Sequence, residues 1–62
     1  MQKTTLEKLL FRSSRKPGEV EANIKWARAV ASLAETCMTD AGLITAEDLL
    51  IYADTLEKES AA

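Results

Sequence analysis

The chain has 62 residues, a formal net charge of −2 at pH 7 and a hydrophobic content of 47%. This length allows one domain over residues 1–62, whose core supplies only roughly 3 to 5 kcal/mol, so such chains usually need a disulfide, a metal or a partner subunit. One cysteine and no histidine exclude an intramolecular disulfide and leave no ligand set for zinc. The chain is too hydrophobic to be disordered, and its apolar runs are far shorter than the ~20 residues of a membrane span.

The first predicted element is a short helix over residues 5–13. Thr4 and Glu7 have the spacing of a capping box, in which the Thr4 hydroxyl accepts a hydrogen bond from the backbone N–H of Glu7. The apolar stripe of this helix consists of Leu6, Leu9 and Leu10. Pro17 then prevents a continuous helix, because proline lacks an N–H and disfavours the helical conformation at the residue before it.

The longest predicted element is an amphipathic helix over residues 18–41. Its main apolar row recurs at alternating steps of four and three, the spacing of one helix face, and consists of Val20, Ile24, Ala27, Ala31, Ala34, Met38 and Ala41. A second apolar row beside it consists of Trp26, Val30, Leu33 and Cys37. The two rows merge into an apolar sector of roughly half the circumference, interrupted only by Asn23 and Glu19. A sector this wide predicts that the helix packs against at least two neighbours.

A third helix is predicted over residues 46–58. Gly42 can adopt the left-handed conformation that ends the long helix, and Thr45 is the N-cap candidate for the third helix, with Asp48 at the position of the reciprocal acid. The inward stripe consists of Ala46, Leu49, Leu50, Ala53 and Leu56. Ile51 falls on the opposite side of this helix. The sequence therefore predicts an all-α, three-helix domain.

The second apolar row also predicts self-association. Two short helices can cover one row of the long helix well, and an uncovered row is an apolar strip that a twofold partner commonly buries. We therefore expect a helical-bundle homodimer, with its contact formed by Trp26, Val30, Leu33 and Ile51. Cys37 has no histidine partner and lies in the apolar sector, so we interpret it as a buried, protonated core residue rather than a nucleophile.

Charge is distributed unevenly along the chain. Residues 1–31 contain seven of the eight basic side chains and three of the ten acidic ones, whereas residues 32–62 contain one basic and seven acidic side chains. This asymmetry can reflect docking of the two halves within one fold, head-to-tail association, or two surfaces for different partners. Candidate contacts to phosphate or to an acidic partner are Lys8, Arg12, Arg15, Lys16, Lys25 and Arg28. The alternative interpretation of the basic residues just before Pro17 is that they form a solvated turn without a binding role.

No group of residues has the composition of a catalytic site. A chain this small also makes a poor pocket, so we expect no enzymatic activity, no cofactor, no metal and no small-molecule substrate. The third helix contains four acidic residues and no base-reading Arg, Lys, Asn or Gln before residue 58, which argues against a DNA recognition helix.

These observations predict a non-catalytic protein–protein interaction module that acts as a regulator, inhibitor or adaptor. The alternative is a nucleic-acid-associated regulator whose basic N-terminal half contacts phosphates. The length and predicted architecture resemble those of many small phage and plasmid regulators, although no motif assigns the chain to a family. The beginning of the chain lacks the apolar core of a signal peptide, so we expect a cytoplasmic protein without a membrane association.

Overall fold

The computed structural model describes residues 3–61, which form three α-helices and one two-stranded antiparallel β-sheet. The elements in chain order are α1 (Thr5–Arg12), α2 (Glu19–Leu33), β1 (Thr36–Thr39), β2 (Gly42–Thr45) and α3 (Ala46–Ala61). Helices α1 and α3 begin at the predicted residues, and α2 begins at residue 19 rather than 18. The predicted all-α class is wrong, and so is the predicted helical bundle. The predicted domain also includes residues 1, 2 and 62, which lie outside the described residues.

The long helix predicted over residues 18–41 ends at Leu33, and a β-hairpin takes the place of its last part. The backbone at Ala34 is already extended, with φ −148° and ψ 149°. The strand register pairs Cys37 with Ile44 and Met38 with Leu43. The segment is rich in β-branched residues, which favour strands over helices: Thr36, Thr39, Ile44 and Thr45. This local preference overrides the helical spacing of the apolar residues.

The hairpin turn depends on Thr39 and Gly42. The Thr39 hydroxyl accepts a hydrogen bond from the N–H of Ala41 at 3.2 Å and donates one to the carbonyl of Gly42 at 2.7 Å. Gly42 has φ 123°, a conformation that L side chains rarely adopt, and a Cβ there would lie 3.3 Å from the Thr5 hydroxyl. Gly42 thus has the positive φ expected of it, but it shapes a hairpin rather than a helix end.

Both predicted helix N-caps are confirmed. The Thr4 hydroxyl accepts from the N–H of Glu7 at 3.1 Å, and the Thr45 hydroxyl accepts from the N–H of Asp48 at 3.1 Å. The predicted ends are less accurate, because α1 ends at residue 12 rather than 13 and α3 continues to residue 61 rather than 58. Capping residues therefore indicate where a helix begins better than the apolar pattern indicates where it stops.

The core lies between α2, α3 and the inner face of the hairpin. Its buried residues are Ile24, Ala27, Ile44, Leu49, Tyr52, Ala53 and Leu56. The start of α2 lies beside the end of α3, since Val20 and Leu56 line one groove, so the two helices run antiparallel. Three half-buried leucines of α1, Leu6, Leu9 and Leu10, also pack against this core.

The inward stripe predicted for α3 is partly correct. Leu49, Ala53 and Leu56 are buried as expected, whereas Leu50 is exposed. Tyr52 is buried instead, because α1 packs along the side of α3 on which Tyr52 lies. The Ser13 hydroxyl forms a hydrogen bond with the Tyr52 hydroxyl. A tyrosine can therefore enter the core here without leaving its polar end unpaired.

Candidate interaction surface

Large apolar side chains are as prominent on the surface as in the core. Among residues 3–61, the buried large apolar or aromatic side chains are Ile24, Ile44, Leu49, Tyr52 and Leu56. The exposed ones are Phe11, Trp26, Leu33, Met38, Leu43, Leu50 and Ile51. Single exposed apolar residues need no explanation, but contiguous ones indicate a surface that another molecule covers.

Three residues on one side of α2, which we call the α2 row, form the first part of such a surface: Trp26, Val30 and Leu33. Their spacing of four and three places them on one helix face. Trp26 is 39% exposed and packs edge-on against the buried ring of Tyr52, with centroids 6.4 Å apart and an interplanar angle of 87°. Val30 is half-buried against the core, whereas Leu33 is 84% exposed. The structure therefore brings these three predicted contact residues together.

Ile51, the fourth predicted contact residue, lies on α3. It is 45% exposed and immediately precedes the buried Tyr52, so the two side chains point about 100° apart around the helix. Trp26 contacts the Tyr52 side of α3. Ile51 therefore lies on a different side of α3 from Tyr52, the residue that Trp26 of the α2 row contacts.

Strand β1 leads from the end of α2 back to the cleft beside Trp26. It begins three residues after Leu33, and its far end, Thr39, lines the same cleft as Trp26. The seven steps of helix from Trp26 to Leu33 span about 10 Å, and the three steps of strand from Thr36 to Thr39 also span about 10 Å. The α2 row and β1 are therefore similar in length, and one end of each lines the same cleft.

The hairpin carries apolar side chains on both of its faces. Cys37 and Ile44 face each other on the inner side, whereas Met38 and Leu43 face each other on the outer side and are 72% and 56% exposed. The solvent side of an antiparallel sheet is usually polar. Cys37 is half-buried on a strand, so its predicted full burial within a helix is wrong. We use the name interaction surface for the α2 row together with Met38 and Leu43.

A cleft of about 530 Å³ separates the end of α1 from α2 and the hairpin turn. Its lining residues are Leu9, Arg12, Ser13, Ser14, Asn23, Trp26, Thr39, Asp40 and Tyr52. Several of its polar groups already bond within the fold: Ser13 bonds to Tyr52, and Arg12 donates to the carbonyl of Asp40 at 3.2 Å. Asn23 interrupts the apolar half of α2 because it lines this cleft rather than the core.

The predicted basic contact residues are all exposed, but the structure does not gather them into one patch. Arg15 forms an ion pair with Glu59 at 3.3 Å, and Arg28 forms one with Glu57 at 2.7 Å. Arg12 donates to the hairpin turn, as described above. The remaining three, Lys8, Lys16 and Lys25, lie on α1, on the linker and on α2.

These ion pairs give the charge asymmetry a structural role. Both Arg15–Glu59 and Arg28–Glu57 join the basic first half of the chain to the acidic second half. Because their side chains are about half exposed, each pair contributes little stability, roughly 0 to 1 kcal/mol. The asymmetry therefore matches the docking of the two halves within one fold, the first of the three explanations considered from the sequence.

No known protein family, curated protein or solved structure matches the chain. Within residues 3–61, no helix has the length and apolar character needed to cross a membrane. The same residues contain no cluster of three or more Cys, Asp or Glu side chains that could hold a metal ion.

Proposed function

We propose that this protein is a small, non-catalytic protein–protein interaction module that acts in the cytoplasm as a regulator, inhibitor or adaptor. The observation that supports the proposal is the interaction surface, whose members Trp26, Leu33, Met38 and Leu43 all expose apolar area. Tryptophan and methionine are enriched at protein interfaces relative to the rest of a protein surface. Covering this surface is the simplest use of side chains that the monomer core does not need.

The size of the core supports the same proposal. Only four large side chains are fully buried among the described residues, and a chain of this length gains little stability from such a core. Exposed apolar area in a patch on the order of several hundred Å² is typical of binding sites in soluble proteins. Association would add buried area to a fold that has little of its own.

Phosphate binding by the basic half has less support. Arg15 and Arg28 each bind a carboxylate, and a polyanion would have to compete with Glu59 and Glu57 for them. Exchanging a carboxylate for a phosphate gains less than binding phosphate with an unpaired arginine, so these two residues add less to the affinity that counterion release supplies. The nucleic-acid alternative is tested below as an outcome of the same experiment.

The proposal is tested by measuring association of the full chain by light scattering after size exclusion, with Leu33→Lys as the perturbed variant. Leu33 is 84% exposed, so a lysine there leaves the fold intact while placing a charge on the interaction surface. Phe11→Lys is the matched control, because Phe11 is 78% exposed but lies on α1, outside that surface. We expect Leu33→Lys to weaken association by at least about tenfold, or about 1.4 kcal/mol, and Phe11→Lys to leave it unchanged.

Two results would contradict the proposal. One is equal association of wild type and Leu33→Lys, both with the same chain and with proteins captured from cell extract. The other is tight binding to duplex DNA that weakens steeply with salt and is lost in Lys16→Glu but retained in Leu33→Lys. That pattern would assign the function to the basic half.

A further inference from the structure

We infer that α1 is a displaceable segment that covers a docking groove for a helix of another protein. The groove is the surface of α3 and β2 on which α1 lies, and we call it the α1 groove. Displacement of α1 exposes it while α2, α3 and the hairpin stay folded. The inference goes beyond the proposed function, because it uses neither the α2 row nor the outer face of the hairpin.

The attachment of α1 to the rest of the fold is limited. None of residues 5–12 is fully buried, and the leucines of α1 that pack against the core are only half-buried. Two hydrogen bonds at its end add to these contacts, one between Ser13 and Tyr52 and one from Arg12 to the carbonyl of Asp40. A helix of eight residues is marginal by itself in water. Segments with few buried apolar contacts open at lower free energies than the core of a protein does.

The linker after α1 allows it to move without breaking α2. Residues 13–18 lie between the two helices, and Pro17 prevents a continuous helix through them. Arg15 is held on α3 by its ion pair with Glu59, so the hinge lies between Arg12 and Arg15. α2 is anchored separately by its own buried residues. Opening at this hinge therefore releases α1 and leaves the remaining elements packed together.

The side of α1 that faces the groove shows which chemistry the groove accepts. Leu6, Leu9, Leu10 and Ser13 follow one another at steps of three, one and three, which places them on one helix face. The leucines pack against the core, and the Ser13 hydroxyl accepts a hydrogen bond from the Tyr52 hydroxyl. Amphipathic helices with apolar anchors at this spacing commonly bind in apolar grooves. The partner is therefore an amphipathic helix with three apolar side chains and a hydroxyl at the same spacing.

A different protein fits the groove better than a second copy does. A tethered segment has an effective concentration in the millimolar range, so a competitor has to bind more tightly than α1. The α1 of a second copy has the same face and therefore no such advantage. α3 has 16 residues, twice the length of α1, so a longer helix finds further surface along it and buries more apolar area.

Native-state amide hydrogen exchange of the full chain tests the displacement. We expect the amides of residues 9–12 to exchange at least about ten times faster than those of residues 52–56, after correction for intrinsic rates. Leu9→Ala should speed exchange in α1 at least about tenfold, because it loosens the contact of α1 with the core. Ile24→Val is the control, since Ile24 lines a groove at the far end of α3, and it should leave exchange in α1 within about twofold. Equal protection of α1 and α3 in the wild type would overturn the displacement.

A synthetic peptide of residues 3–16 probes the groove, with amide NMR of the isotope-labelled full chain as the readout and peptide up to about 2 mM. We expect saturable shifts at residues 42–45 and at Tyr52. The Leu9→Ala chain should bind the peptide at least about tenfold more tightly than wild type, because its own α1 competes less for the groove.

Matched substitutions in the peptide test which side chains the groove reads. Leu9→Ala in the peptide should weaken binding at least about tenfold. Phe11→Ala should change it by less than about threefold, because Phe11 is 78% exposed in the fold. The same Leu9 substitution thus has opposite effects in the chain and in the peptide, which a merely destabilised protein would not show.

Three results would overturn the docking groove: no saturable shifts with the Leu9→Ala chain, equal binding of the two peptide variants, or shifts at Leu33 and Met38 instead of the groove. If Leu9→Ala fails to fold by circular dichroism, Ser13→Ala replaces it, with binding of the peptide about threefold tighter than wild type as the expected result. The Leu33→Lys chain should bind the peptide as wild type does, so failure of the proposed function and failure of this inference are distinguishable.

Discussion

The hydrogen bond between Ser13 and Tyr52 should hold α1 on α3, and the variant Tyr52→Phe tests this directly. Tyr52 is 1% exposed, so phenylalanine keeps the buried ring and removes only the hydroxyl. The Ser13 hydroxyl already donates to the carbonyl of Leu9 at 2.8 Å, so it accepts from the Tyr52 hydroxyl. Removing one such bond typically costs about 0.5 to 1.5 kcal/mol.

The cost should lie near the middle of that range. Ser13 lines the open cleft, so water can replace the missing hydroxyl and limit the penalty to about 1 kcal/mol. In a domain of this size, a loss of 1 kcal/mol lowers Tm by roughly 4 to 8 °C. The assay is urea unfolding followed by circular dichroism, for wild type, Tyr52→Phe, Ser13→Ala and the double variant. Both single variants should lower the free energy of unfolding, and the double variant should cost less than their sum.

Two results would refute this reasoning. Strict additivity of the two substitutions would mean that the two hydroxyls do not interact in solution. A full-stability Tyr52→Phe variant would mean that the hydroxyl contributes nothing and that α1 is held by its leucines alone. Either result would mean that α1 is held on the core by the half-buried side chains of Leu6, Leu9 and Leu10 rather than by this hydrogen bond.

Three further substitutions test the core, a helix cap and an ion pair. Ile44→Ala should lower the free energy of unfolding, measured in urea, by about 2 to 5 kcal/mol, because Ile44 is 1% exposed and connects the hairpin to the core. A loss below about 1 kcal/mol would mean that the hairpin is not packed on the core. Thr45→Ala should cost about 1 kcal/mol and reduce helicity, because it removes the bond to the N–H of Asp48, whereas Thr45→Ser should restore most of the loss. Arg28→Ala should cost less than about 1 kcal/mol, because the pair with Glu57 is half exposed, and a larger loss that persists in 1 M salt would contradict that assignment.

The sequence predicts well those features that depend on a few neighbouring residues. The N-caps at Thr4 and Thr45 each need one hydroxyl and one backbone N–H three residues later, and both are present. The interruption by Pro17 is likewise a local steric effect. Local chemistry of this kind does not change when the rest of the chain folds around it.

The hairpin was missed because its apolar residues satisfy two periods at once. Met38 and Ala41 continue the helical spacing of Ala31 and Ala34, so the pattern alone extended the helix. The contrary signals were the density of β-branched residues in the segment 36–45 and the turn residues Asp40 to Gly42 between two short runs. Weighting these signals over spacing would have ended the helix near Leu33.

The sequence predicts only the helical part of the candidate surface. Trp26, Val30 and Leu33 lie within the portion of α2 that is helical, so their shared face follows from spacing alone. Met38 and Leu43 join them only because the chain reverses at the hairpin, and their opposition depends on the strand register.

The central claim is that the α2 row and the hairpin form a surface that associates with another chain. The most direct measurement is a concentration series of amide NMR spectra of the full chain, from about 10 µM to 1 mM, which brackets typical weak association. We predict concentration-dependent shifts at Trp26, Leu33 and residues 36–43, with the exposed side of α3 unchanged. Shifts confined to α3 would contradict the claim, and spectra that do not change over this range would contradict association of the chain with itself through this surface.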